Sequence, residues 1–321
     1  MGKRKLEKII VIASAAMLVF GIYEFDALGI ALPDGLPIHR EMIPLAGPSS
    51  IASEKDEEIP RSTASRPSTA AHLAQEGGIV SGDCGTIDLS HASEGYASVF
   101  LTADTGKNFM CAVEGPGALY SYPVEPNQTV TLPLSEGNGE YIISLVEHIE
   151  DNRYWIKLAA KATVTLDDER TPFLVSSPVV DWADAADTIR KADELAGGLE
   201  SDQEKIDAIY AWVVENLKYD EALAETVSSG YLPDLDAVLA KRKGICFDYA
   251  ALTAGMLRSQ GIPCRLVMGY VGGVYHAWIS VYTKDAGWSC MDPTMESGVG
   301  SLHFIRRHIG DGVDYTPARI Y

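Results

Sequence analysis

Three short segments hold residue types that together perform nucleophilic chemistry: Gly244-Ile245-Cys246-Phe247-Asp248-Tyr249-Ala250, then Tyr275-His276-Ala277-Trp278-Ile279, then Trp288-Ser289-Cys290-Met291-Asp292-Pro293-Thr294. A thiolate needs a base or cation beside it to be populated near neutral pH, and that base needs a partner to hold its ring. Cys246, His276 and Asp292 can fill the roles of nucleophile, general base and orienting carboxylate. The chemistry would be acyl transfer: attack on an amide carbonyl, proton delivery to the leaving amine through the imidazole, and a thioester left on sulfur. Taken singly, a cysteine is most often a small buried hydrophobe, a histidine before Ala-Trp a satisfied core residue, and Asp-Pro a turn start. The order of the three segments is what points to chemistry.

The elements around them are readable. Lys241-Arg242-Lys243-Gly244 is a basic, glycine-broken turn, and Phe247 to Gln260 carries the small and apolar residues of a buried helix. Cys246 then lies in a first helical turn, where free N–H groups and the macrodipole favour a negative sulfur. Asp248 suits a cap on the same turn, and Gly244, without a Cβ, allows close approach. Gln260-Gly261-Ile262-Pro263 ends the helix; Arg265–Val271, His276–Tyr282 and Trp288–Asp292 read as strands joined by Gly272-Gly273 and by Asp285-Ala286-Gly287. Such an antiparallel meander brings His276, opening its strand, and Asp292, ending the next, over the helix N-terminus. Upstream, Ser201-Asp202-Gln203-Glu204 has capping-box form ahead of an apolar stripe of Ile206, Ile209, Tyr210, Val213, Val214 and Leu217. Further helices are expected at Asp184–Leu199 and, after Pro233, at Asp234–Ala240.

At these residues the chain resembles the transglutaminase-like superfamily, the papain-related group with a Cys, His, Asp order. The resemblance rests on the three segments above and extends to Ile206-Asp207-Ala208-Ile209-Tyr210 and Leu217-Lys218-Tyr219-Asp220, so that it spans roughly residues 180 to 321. It implies a C-terminal α+β papain-like fold with Cys246 as nucleophile, His276 as general base and acid, and Asp292 holding the imidazole. The Cys246 backbone N–H is one candidate oxyanion donor. Tyr219, at the end of the preceding helix, is a second candidate or simply a packed ring.

The rest of the chain changes character twice. Lys3, Arg4, Lys5 and Lys8 precede an apolar run from Ile9 to Tyr23, the pattern of a signal peptide or transmembrane anchor in residues 1–32, with an uncleaved anchor favoured because Ala27-Leu28-Gly29 is a poor cleavage site. Residues 33–78 are dominated by Pro, Ser, Thr, Ala and charge, as in Ser62-Thr63-Ala64-Ser65-Arg66-Pro67-Ser68-Thr69, and read as a disordered linker with a reach of roughly 35–40 Å. In 79–175, Tyr96–Leu101, Phe109–Val113, Gln128–Leu132, Tyr141–Val146 and Trp155–Leu166 are β-rich runs between turn residues, which suggests an antiparallel β-sandwich ahead of a catalytic domain at 176–321.

A chain of 321 residues with 46% hydrophobic residues can hold two cores. The formal charge of −19 argues against nucleic acid as a partner and favours cationic, amine-bearing substrates. Five cysteines leave at least one thiol unpaired, a role the motif gives to Cys246: Cys84 with Cys111 could bridge inside the β domain, whereas Cys264 and Cys290 are expected on strands flanking the His276 strand, which disfavours their pairing and reads them as two buried thiols. No spacing resembles a zinc site or a calcium loop, so neither metal nor cofactor is expected. The sequence reading is an extracytoplasmic thiol enzyme, membrane-anchored or secreted, that joins or cuts amide bonds of proteins or peptides, cell-wall peptides and lysine-bearing acceptors among them. The alternative is a surface scaffold whose transglutaminase-like domain performs no chemistry.

Overall fold

The computed structural model describes residues 73–74, 78–102, 106–150, 153–297 and 314–321. The expected signal or anchor at 1–32 lies outside them, as does the expected linker apart from Leu73–Ala74 and Gly78. Among the described residues no helix is long and apolar enough to cross a membrane.

The N-terminal part is built from alternation. In β4 (Tyr96–Leu101) every second side chain, Ala97, Val99 and Leu101, is buried, as period-two geometry requires of a strand with one face inward. It joins β2 (Ile79–Gly82), β3 (Gly85–Asp88) and β7 (Thr129–Pro133) in a sheet of order β2-β3-β4-β7. A second sheet has the order β1-β9-β8-β5-β6, from β1 (Leu73–Ala74), β5 (Phe109–Glu114), β6 (Leu119–Pro123), β8 (Gly139–Glu150) and β9 (Arg153–Val164). All pairings are antiparallel except that of β1, within the stretch read as linker, which lies parallel on the open edge of β9. The sheets face each other: a Cβ at Gly85 would stand 3.2 Å from the Leu145 side chain and one at Gly82 3.1 Å from Leu158. β6 and the β2–β3 hairpin escaped the sequence reading because their apolar residues are sparse.

The C-terminal part centres on one helix. α1 (Ala186–Ala196), α2 (Asp202–Asn216), α3 (Glu221–Thr226) and α4 (Leu235–Lys241) precede α5 (Cys246–Ser259), whose residues Cys246 to Arg258 are all buried. A helix covered on every side has no polar stripe, which explains its small, apolar, unpatterned sequence. The expected capping box before α2 is present, with Ser201 and Glu204 bonding reciprocally. Beyond α5 the meander of β12 (Cys264–Val271), β13 (Val274–Thr283) and β14 (Gly287–Met291) forms as expected, and the short α6 (Pro293–Glu296) follows. One strand was not foreseen: β15 (Tyr315–Ile320) adds to the far side of β12, giving the order β14-β13-β12-β15. Its Pro317 masks the strand pattern and is tolerated because β15 is an edge. Register shifts there between Met268 and Gly269, and only glycine fits, since a Cβ at 269 would lie 2.1 Å from the Thr316 carbonyl oxygen.

The two parts share one continuous core. Arg258 is 2% exposed and donates from Nε to Cys264 O at 2.9 Å, from Nη1 to Val175 O at 2.8 Å and from Nη2 to Tyr321 O at 2.8 Å. The Tyr321 ring then meets Tyr120 and Tyr122 of β6 edge-on, at 5.4 and 6.3 Å. All five cysteines are free, so the bridge considered between Cys84 and Cys111 is not formed. Cys264 and Cys290 sit on β12 and β14, opposite Val281 and Ser280 of β13, separated by that strand.

Candidate active site

The turn that delivers Cys246 is fixed from both sides. Arg242 ends α4 in the left-handed region at φ 50°, after which β11 (Lys243–Gly244) pairs parallel with β10 (Lys218–Tyr219) and sets Tyr219 opposite Gly244. Asp220 N donates to Gly244 O at 2.8 Å, and its carboxylate meets Lys243 Nζ at 3.0 Å. Tyr219 is therefore a strand residue, two positions past the C-cap of α2, rather than the last residue of that helix. Its phenol is pushed far above the usual range, by burial first and then by the charges of Cys246 and Asp248.

Cys246 is the first residue of α5 and is 7% exposed. Asp248 caps that helix as expected: its Oδ2 accepts the Ile245 N–H at 2.7 Å. The N–H of Cys246 lies in the first turn, where a helix offers no internal acceptor.

His276 is the third residue of β13 rather than its first, opposite Gly269 of β12, and is 1% exposed. Its Nε2 lies 2.7 Å from Asp292 Oδ2. A carboxylate only accepts, so Nε2 carries the proton and Nδ1 is the atom left for chemistry. Nδ1 is buried without a hydrogen bond of ordinary geometry. Burial works against a charged ring, yet Asp292 and then Cys246 outweigh it and raise the His276 pKa. Trp278, two residues along the same face, stacks beside the ring at 6.3 Å and 21°.

Asp292 lies one residue beyond β14 and is the N-cap of α6. Oδ1 accepts the N–H groups of Thr294 at 3.1 Å and Met295 at 3.0 Å, while Oδ2 accepts His276 Nε2 and the Tyr315 hydroxyl, the latter at 3.0 Å. One oxygen thus caps the turn and the other faces the imidazole. Burial opposes ionisation, but His276, the Met295 N–H and Tyr315 hold the carboxyl below its usual range.

The fold thus gathers all three sequence-derived candidates, Cys246, His276 and Asp292, at the junction of α5, β13 and the β14–α6 turn. Two further side chains bear on them that sequence reasoning missed. Tyr231 donates to Asp248 Oδ1 at 2.7 Å, and Tyr315 bonds Asp292. Neither stands in a motif, and both reach the site by tertiary folding alone. Among the described residues no group of three or more His, Cys, Asp or Glu could hold a metal ion.

The family described as Transglutaminase-like superfamily matches residues 189–293. A protein-glutamine gamma-glutamyltransferase of Pseudomonas aeruginosa is 35% identical over 75 residues, covering 19% of this chain and 11% of that protein. The kyphoscoliosis peptidase of Homo sapiens is 31% identical over 123 residues, covering 33% of this chain and 18% of that protein. The chain thus spans less than a fifth of the length of either relative. The solved periplasmic domain of TgpA from Pseudomonas aeruginosa superposes with a TM-score of 0.34 at 16% identity, over 72% of this chain and 78% of that one. What the chain is similar to is thus the transglutaminase-like superfamily, over residues 189–293 of its C-terminal α+β part, which hold Cys246, His276 and Asp292.

Proposed function

We propose that this protein is a thiol enzyme that transfers acyl groups from amide bonds of proteins or peptides through a thioester on Cys246. The observation that carries the reading is the His276 ring, pinned at Nε2 by Asp292 at 2.7 Å with Nδ1 buried and left without a partner, in a fold that packs the Cys246 helix against the His276 strand. In the first step His276 Nδ1 takes the Cys246 thiol proton as the sulfur bonds to the amide carbonyl carbon and the carbonyl π pair moves onto oxygen. The resulting oxyanion is held by the Cys246 backbone N–H, with the Tyr219 hydroxyl as second donor. His276 then passes a proton from Nδ1 to the amine, the C–N bond breaks, and the amine leaves. A primary amine that attacks the thioester forms a new amide and returns the thiol; water in its place forms a carboxylic acid.

Amine transfer and hydrolysis divide the named relatives as well, one being called a glutamyltransferase and the other a peptidase. An overall charge of −19 supports cationic, lysine-bearing partners. The basic and apolar start of the sequence supports work outside the cytoplasm, on a membrane anchor or after secretion.

The test uses the full chain beside Cys246→Ala, with a glutamine-containing peptide library and a labelled primary amine. Label incorporation that vanishes in the variant establishes amine transfer. Cleavage or deamidation without incorporation establishes a hydrolase. Neither, together with a Cys246 no more reactive than the exposed Cys290, would return the protein to the scaffold reading.

A further inference from the structure

Asp292 Oδ2 serves two donors at once. His276 Nε2 lies 2.7 Å away and the Tyr315 hydroxyl 3.0 Å away, from a strand that is distant in sequence and was not part of the expected meander. The Tyr315 ring packs edge-on against Trp278 at 5.0 Å, and Trp278 stacks beside the His276 ring. Tyr315 thus touches both supports of the imidazole, its carboxylate partner and its aromatic neighbour.

We infer that Tyr315 is a positioning residue that sets the proton affinity of His276 by sharing the carboxylate oxygen on which the imidazole depends. This rests on the thiol-enzyme reading of the site. An oxygen that accepts a second hydrogen bond has part of its charge neutralised, and so stabilises an imidazolium less. The hydroxyl therefore holds His276 closer to the range in which it can return its proton to a leaving amine, where an unshared carboxylate would keep the ring charged. The same bond holds Oδ2 still while Oδ1 is held by the first turn of α6. The other titratable groups acting here are Cys246 from α5, Tyr210 from α2, Cys290 on β14 and Glu296 on α6. Burial first, then the charge and hydrogen bond of Asp292, with Cys290 and Glu296 after it, keep the Tyr315 phenol protonated and hence a donor.

The test separates tuning from packing. In the full chain carrying Cys246→Ala, so that no thiol titrates with the ring, His276 is followed by NMR across pH with carbon-13-labelled histidine. Tyr315→Phe keeps the ring against Trp278 and removes the hydroxyl; Tyr315→Leu removes both. The expected result is an upward shift of the His276 midpoint by about half a pH unit or more in Tyr315→Phe. A Phe variant that titrates at the parent's pH or below it overturns the inference, even where the Leu variant departs. With Cys246 restored, the pH profile of its alkylation by iodoacetamide is expected to extend to higher pH in Tyr315→Phe. If Cys246 proves unreactive in the parent chain, the enzyme reading fails by itself, and the histidine titration still decides the role of Tyr315.

Discussion

The hydroxyl of Tyr231 donates to Asp248 Oδ1 at 2.7 Å while Oδ2 of the same carboxylate accepts the Ile245 N–H at 2.7 Å. A side chain from the loop after α3 therefore holds the carboxylate that shapes the turn before Cys246. Asp248 is fully buried, and burial raises its pKa despite these two donors. Tyr231→Phe is expected to cost about 1–3 kcal/mol, the range for leaving a buried acceptor short of a partner. The loss should be larger at pH 8 than at pH 5, because the carboxylate that lost its donor resists ionisation as the pH rises. Urea unfolding at the two pH values checks both the size and the direction.

The His276–Asp292 pair links stability to pH on both sides. The histidine, pushed up to about 10, contributes stability that is complete below its unfolded value of about 6.5 and is lost as pH rises through the folded value. The aspartate, held low, contributes stability that is complete above about 3.9 and is lost as pH falls through its folded value. Stability from the pair should therefore be greatest between about pH 4 and 6.5. His276→Gln should flatten the alkaline decline seen in denaturant midpoints between about pH 6.5 and 10; an unchanged slope would contradict the pairing.

At Gly244 a Cβ would stand 2.4 Å from Asp248 Cβ. Gly244→Ala must push the cap and the Cys246 turn apart, at a cost of about 1–3 kcal/mol as for other overpacked sites. Cys246 alkylation kinetics should respond more than the melting temperature, because the strain falls on the nucleophile's own turn. Differential scanning calorimetry beside iodoacetamide kinetics measures both.

Arg258 joins three backbone carbonyls, on Val175, Cys264 and Tyr321. Arg258→Met keeps much of the volume and strips these acceptors of charged donors, each such bond being worth about 1.5–3 kcal/mol. A loss of about 3 kcal/mol or more is expected by chemical unfolding. Protease sensitivity should appear around residues 174–178, where the link to Val175 is released.

The sequence by itself determined much of the C-terminal fold and the candidate site. Residues that are neighbours along the chain and obey a short period or a capping rule declare themselves: the Ser201–Glu204 box, the stripe of α2, the glycine-closed meander, and the Cys246, His276 and Asp292 segments whose order carried the family resemblance. The alternation of β4 was equally plain, because each inward residue alternates with a half-buried one. What the tertiary structure alone decided involves residues brought together from far apart. Tyr315 reaches Asp292 from a strand whose proline hides its pattern, Tyr231 reaches Asp248 from a loop, and Tyr219 is set beside the Cys246 turn because a two-residue strand pairs it with Gly244. Hydrogen bonds between such side chains leave no periodic trace, since each needs only one donor and one acceptor placed by the packing of whole elements. The same reason kept Arg258 unread: a buried guanidinium is costly until three carbonyls from separate segments converge on it, and that convergence is a property of the folded chain.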